Sequence, residues 1–231
     1  MKLLALVPAR GGSKRIPNKN IRALGDKPLI AWTLDTIRGV SDVADVLVST
    51  DNSAIAEVAL AQGALVPWLR PAELATDTAT SMAVCMHALD WYESERGPID
   101  GLLLLQPTTP FRTQENIQKG IDLFRENPRH CVVSFSHAES HPMWCYRLKG
   151  DKILPFIENT STQAIRSQDL PPAYVVNGAL YLASPTYLRE NNSFLGHRTI
   201  PLVMEDPRET LDIDTEWDWL LAETLLKQIL L

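Results

Sequence analysis

The chain of 231 residues carries 22 basic and 28 acidic side chains, a formal net charge of −6, and is 45% hydrophobic. That balance fits a soluble protein with one sizeable core and speaks against a general nucleic-acid or membrane-surface binder. No apolar run approaches the roughly 18 residues that span a bilayer, no signal-peptide core precedes a cleavage site, and Cys85, Cys131 and Cys145 are too widely spaced for a disulfide framework or a metal knuckle. A cytoplasmic protein with buried thiols is expected.

The first predicted element is a strand over residues 2–7, ended by Pro8 because proline cannot donate to a sheet ladder. It runs into ARGGSKRIPNKN. There Gly11 and Gly12 lack the Cβ that would hold backbone amides away from an anion, and Arg10, Lys14, Arg15 and Lys19 supply charge. The segment reads as a polyphosphate site or as a solvated basic turn, and it matches neither the P-loop nor the dinucleotide fingerprint. Residues 43–49, 64–68, 101–105 and 131–135 read as core strands that alternate with amphipathic segments, which predicts an α/β fold with a mostly parallel sheet flanked by helices. Met82, Cys85, Met86, Leu89 and Tyr92 recur at helical spacing as a core stripe, and Ile117, Ile121 and Phe124 repeat the pattern.

Ligands of such sheets gather beyond the carboxyl ends of the strands, which singles out the loops at 8–20, 49–52 and 106–112. In the last, prolines stiffen the scaffold, Gln106 is suited to a sugar or base edge, and Arg112 reads as an anion contact or as a surface charge beside a Thr113 helix cap. After residue 136, weak alternation at 144–148 and 153–157 around Lys149-Gly150-Asp151 predicts a hairpin insertion suited to a dimer arm. A core strand at 177–182, a short helix at 185–189 and a leucine-rich helix at 215–230 complete the chain as one domain. Before that last helix stands LDID. In extended backbone Asp212 and Asp214 point to one side, as two carboxylates holding Mg2+ against phosphates would; taken alone, Asp214 reads more simply as the helix N-cap, a role not open to Asp212.

PARGGSKRIPNKN, VSTD, LRPAELATDTATS, LLQPTTPFRT, RSQDLPPAYVVNGALY and LDIDTEWD, in this order, resemble the acylneuraminate cytidylyltransferases. The resemblance implies a nucleotide-diphospho-sugar transferase (Rossmann-like) fold and a homodimer with an exchanged arm at about 139–172. The implied reaction joins CTP to a nine-carbon 2-keto sugar acid, giving the CMP-sugar and pyrophosphate. It implies a triphosphate held by Arg10, Gly11, Gly12, Ser13, Lys14, Lys19 and Asn20, nucleotide contacts from Arg70 and Ser81, and Mg2+ on Asp212 and Asp214. Gln106, Trp144, Arg166, Tyr181 and Phe194 are implied as sugar-acid contacts, Phe194 reaching across the dimer. No histidine falls within these motifs, so no general base is named.

Two positions depart from the sialate-specific pattern. Trp144 stands where a lysine is common, and Ser167 follows Arg166 where a second arginine is common. A less cationic, more apolar pocket favours a 9-deoxy sugar such as legionaminic acid over a sialic acid, while pseudaminate enzymes match LLQPTTPFR less well. Three alternatives stand beside this reading, one of them a catalytically silent nucleotide-binding or dimerisation module, against which Arg10, Lys19, Asp212 and Asp214 together speak. A cytidylyltransferase for the eight-carbon acid Kdo would not carry RSQDLPPAYVVNGALY, and a metal-dependent glycosyltransferase would carry its D-x-D motif mid-chain.

Overall fold

A computed structural model of the chain describes residues 1–157, 166 and 169–229, so Ser167 and the centre of the expected arm lie outside the described residues. Six strands form the central sheet: β1 (Leu3–Pro8), β4 (Val43–Ser49), β5 (Gly101–Leu104), β6 (Cys131–His137), β9 (Tyr174–Ala183) and β10 (Thr199–Val203). Their order is β10-β6-β9-β5-β1-β4. Every neighbouring pair is parallel except those made by β9, which runs against both β5 and β6. From β1 the chain steps first to β4 and then across to β5, so the strand order reverses at β1, where α/β sheets open a ligand crevice.

The sequence of β1 explains its place. Leu3, Ala5 and Val7 face one core cluster while Leu4 and Leu6 face another, all fully buried. A strand covered on both faces needs a continuous apolar run rather than an alternating one. The first cluster is closed by helices α1 (Leu29–Ile37), α2 (Ser53–Ala61) and α4 (Gln114–Glu126), the second by α3 (Ser81–Arg96) and α5 (Pro185–Asn191). Asn52 caps α2 by accepting from the amides of Ala54 and Ile55, and Thr80 and Thr113 cap α3 and α4 in the same way. A third cluster seats helix α6 (Glu216–Ile229) against the N-terminal loop through Ile16, Leu24, Leu29, Ile213, Trp219 and Leu226.

Several expectations are corrected. Residues 64–68 form no strand: Leu65 makes a single bridge to Leu47 at the sheet edge, and Pro67 has no amide to extend it. Helices α1 and α2 and strand β10 lie outside the predicted elements. Pro201 is tolerated in β10 because that strand lies at an edge. Cys145 is exposed, in contrast to buried Cys85 and Cys131. The insertion does hold a hairpin, β7 (Tyr146–Lys149) with β8 (Lys152–Pro155), and it forms a sheet of its own. Trp144 lies just before it, in a short 3-10 turn at Pro142–Trp144. Two further short strands, β2 (Ala23–Leu24) and β3 (Lys27–Pro28), pair beside the N-terminal loop.

Candidate active site

A cavity of about 700 Å3 opens beyond the carboxyl ends of β1 and β5, at the strand-order reversal. Its walls bring together Arg10, Ser13, Lys14, Arg15, Lys19 and Asn20 from the first loop, Arg70 and Ser81 from the middle of the chain, Gln106 and Thr108, and Asp212 with Asp214. Lys19 is the tie between chain ends. Only 11% exposed, its ammonium donates to the Ile213 carbonyl at 2.7 Å and to Asp214 Oδ1 at 3.0 Å. Arg15 reaches the other oxygen of Asp214 at 3.2 Å.

The two aspartates stand as the alternation of extended backbone requires, both side chains outward with Ile213 buried between them. Ile213 hangs this segment on the next loop by donating its amide to the Thr108 carbonyl at 2.8 Å. Asp214 does not cap α6. Thr215 and Asp218 form a reciprocal box, with Asp218 Oδ2 accepting from the Thr215 amide at 2.7 Å and Thr215 Oγ1 accepting from the Asp218 amide at 3.3 Å. Asp214 is thereby left to the cavity. Partial burial raises the Asp212 pKa and the nearby Asp214 charge adds to this, while the Thr108 hydroxyl and Lys19 pull it down. Among the described residues no cation lies within ion-pair distance of Asp212.

Arg70 is nearly buried. It donates from Nε to Ser49 Oγ at 2.9 Å and from Nη2 to the Ser49 carbonyl, which fixes its guanidinium at the end of β4. Burial lowers its pKa, and the Asp51 charge opposes that. Asp51 also receives the Gly11 amide at 2.8 Å. Gly11 therefore does not offer its amide to a ligand in this structure. Glycine is required there for closeness, since a Cβ would stand 2.8 Å from Asn52. Neither Gly11 nor Gly12 lines the cavity.

Arg112 is neither an anion contact nor a surface charge. It is buried, donates to Thr33 Oγ1 at 2.7 Å and to the Gln106 carbonyl, and braces the loop from behind. Burial pushes its pKa down to about 9 against the pull of Asp212. Phe194 is also corrected. It is buried within its own chain, its ring 5.3 Å from that of Tyr181, and does not extend from the subunit. Tyr181 is not among the cavity's lining residues; burial and the Asp212 charge raise its pKa. Trp144 and Arg166 are exposed and line no part of this cavity; Arg166 pairs with Asp169 at 3.2 Å.

The family model described as Cytidylyltransferase matches residues 4–141. The chain belongs to the cytidylyltransferase family. It is 38% identical to the CMP-N,N'-diacetyllegionaminic acid synthase of Legionella pneumophila, covering 98% of this chain and 97% of that protein. It is 36% identical to an N-acylneuraminate cytidylyltransferase of Streptococcus agalactiae over 95% of this chain, but spans only 52% of that protein's length. With the pseudaminic acid cytidylyltransferase of Campylobacter jejuni it shares 32% identity over 98% of this chain and 97% of that protein. A solved CMP:2-keto-3-deoxy-manno-octonic acid synthetase complexed with CTP superposes with a TM-score of 0.70 at 16% identity, covering 99% of both chains, which establishes a shared fold.

For a member of the cytidylyltransferase family, the cavity also contains two groups that sequence reasoning did not single out. Thr108 lines the cavity and accepts the Ile213 amide on its carbonyl. Asp77 faces Arg10 and Lys14. Each lies inside a motif already noted, LLQPTTPFRT and LRPAELATDTATS, but only the folded chain shows what it faces.

Proposed function

We propose that this enzyme transfers CMP from CTP to the anomeric hydroxyl of a nine-carbon 2-keto sugar acid of the legionaminate or sialate type, releasing pyrophosphate. The observation that carries the reading is the convergence of the loop cations, Arg70, Ser81, Gln106 and the Asp212–Asp214 pair on one cavity. Arg10, Lys14, Arg15 and Lys19 bind the triphosphate and meet charge that develops on the departing pyrophosphate oxygens. Arg70, locked by Ser49, and Ser81 orient the nucleoside end. Gln106 lies beside the Asp212 segment, where the sugar acid's hydroxyl would approach the α-phosphorus in line. Positioning is therefore the main contribution of the protein to rate.

Two carboxylates that line one cavity with hard oxygen donors fit a Mg2+ ion that takes its remaining ligands from phosphate and water. Asp212 and Asp214 would hold it, and the bound ion would neutralise phosphate charge. Asp212 is the better supported ligand because it has no ion-pair partner among the described residues, whereas Asp214 is shared with Arg15 and Lys19.

The hairpin supports a homodimer. Tyr146, Leu148, Ile153 and Phe156 are 54%, 79%, 63% and 67% exposed, the kind of apolar side chains that a subunit interface would cover. Trp144 and Arg166 on this arm would then complete the sugar pocket of a second subunit. Soluble substrates fit a cytoplasmic enzyme, and no helix among the described residues is long and apolar enough to cross a membrane.

Similarity along nearly the full length of the Legionella synthase supports legionaminate as the sugar, as does the apolar face of Trp144. Pyrophosphate release measured with CTP, Mg2+ and a panel of sugar acids tests the reading. Legionaminate is expected to outcompete N-acetylneuraminate by roughly ten- to two-hundredfold, the range for one polar-to-apolar exchange in a pocket, and Trp144→Lys to narrow the gap. Release with an eight-carbon acid alone would overturn the substrate class.

A further inference from the structure

Five cations and three carboxylates line the cavity. Four of the cations are already paired: Arg15 and Lys19 with Asp214, and Arg10 and Lys14 with Asp77. The Asp214 pairing belongs to the proposed metal end of the site. The Asp77 pairing has no such role, and its form is informative. One oxygen takes Arg10 Nη1 at 2.8 Å and the other takes Lys14 Nζ, so both cations share one carboxylate as they would share a phosphate.

Asp77 belongs to a ten-residue excursion, residues 71–80, between buried Arg70 and the Thr80 cap of α3. Beyond a 3-10 turn at Ala72–Leu74 the excursion has no regular structure. Its internal bonds include those of the 3-10 turn, the pair Thr76 and Thr78, the Thr76 hydroxyl to the Glu73 carbonyl and the Ala79 amide to the Thr76 carbonyl. Among the described residues the Asp77 carboxylate accepts no bond from its own loop, and its side chain is half exposed. Lys14 and Arg10 hold its carboxyl below the ordinary aspartate value, so it is an anion at neutral pH. A carboxylate kept for loop structure would bond to nearby amides, as Asp218 does; among the described residues this one bonds only to cations that line the cavity.

We propose that Asp77 is an exchangeable counter-ion that occupies the phosphate-binding position of Arg10 and Lys14 and is displaced by the triphosphate. This inference rests on the cavity being a triphosphate site. Exposed ion pairs are weak, so a polyphosphate with several anionic oxygens displaces one carboxylate readily. The returning carboxylate then competes with product pyrophosphate and speeds its departure. Asp77 thus lowers ground-state affinity in exchange for turnover, a positioning role rather than a catalytic one.

Calorimetric titration of the full chain with inorganic pyrophosphate and with CTP tests this. Asp77→Asn and Asp77→Ala are each expected to tighten both ligands by about three- to tenfold, the scale of one or two exposed ion pairs, and to slow pyrophosphate dissociation in stopped flow by a similar factor. Because the Asp77 side chain makes no bond to its own loop, each variant removes only its pairs with Arg10 and Lys14. Unchanged or weaker binding in both variants overturns the proposal. Arg10→Ala separates this result from the underlying reading: if it fails to weaken pyrophosphate binding, the triphosphate site itself is wrong. If Arg10→Ala weakens binding while the Asp77 variants do not tighten it, only the counter-ion role falls.

Discussion

Gly178→Ala tests the geometry of the site at the point where β9 meets Gln106. Opposite β9, β6 advances from Val133 to Phe135 while β9 runs from Tyr181 to Val176, so extra residues loop out as a bulge around Ser134. Asn177 Oδ1 lies 2.6 Å from Ser134 Oγ and accepts from the Ala179 amide at 3.1 Å, and Gly178 sits at the crest with φ of 76°. A Cβ there would stand 2.2 Å from Gln106 Oε1. Two costs follow and can be separated. Positive φ costs a side-chain-bearing residue about 1–2 kcal/mol of stability. The Gln106 amide, being the end of a flexible side chain, swings aside and loses its aim, which forfeits about one hydrogen bond to the sugar acid, ~1 kcal/mol or roughly fivefold in its KM. The KM for CTP stays within error, because Arg10, Lys19 and Arg70 are untouched. Steady-state kinetics with each substrate varied, together with thermal melts, read both. Gly39→Ala, at φ of 87° with no atom within 4 Å of a Cβ, carries the backbone cost alone. In a Gln106→Ala background the kinetic penalty of Gly178→Ala vanishes while the stability penalty remains. An equal rise in both KM values, or an unchanged KM for the sugar acid, refutes the reasoning.

Asp212→Asn is expected to lower kcat by about a hundredfold or more, the scale of losing one preorganised electrostatic group at a transition state, with an unchanged melting temperature and a weakened Mg2+ dependence. A parental rate in this variant would remove the metal role. Leu148→Asp with Phe156→Asp, both on the exposed hairpin, is expected to give a monomer by light scattering with reduced turnover; an unaltered mass would exclude the hairpin as the interface. Aromatic disulfide titration of the folded chain at pH 8 should count one reactive thiol, Cys145. Burial pushes Cys85 up to about 12 although Arg70 pulls the other way. The thiolate is the reactive form, so raising the pH to 10 leaves Cys85 silent until the chain unfolds, and early reaction at Cys85 would show that its surroundings are open.

Patterns of neighbouring residues were readable directly. The apolar run of β1, the helical stripe from Met82 to Tyr92 and the outward alternation of Asp212 and Asp214 all follow from backbone periods of two and 3.6, which need no knowledge of the rest of the chain. The loop cations, Gln106 and the acidic pair were legible as chemistry for the same reason: each sits in a short motif whose residue types limit what it can bind. What the motifs could not show was which group faces which. Arg112 and Arg70 both follow short apolar stretches, yet Arg112 is buried behind the loop and Arg70 looks into the cavity. By position alone Asp214 reads first as a helix cap, a role that the fold gives to Thr215 and Asp218 instead. The decisive bond, Lys19 to Asp214, joins residues 195 apart. Local preference acts through adjacent backbone and side chains; partners that distant are chosen only when the sheet order and the α6 cluster bring the two ends of the chain to one cavity wall.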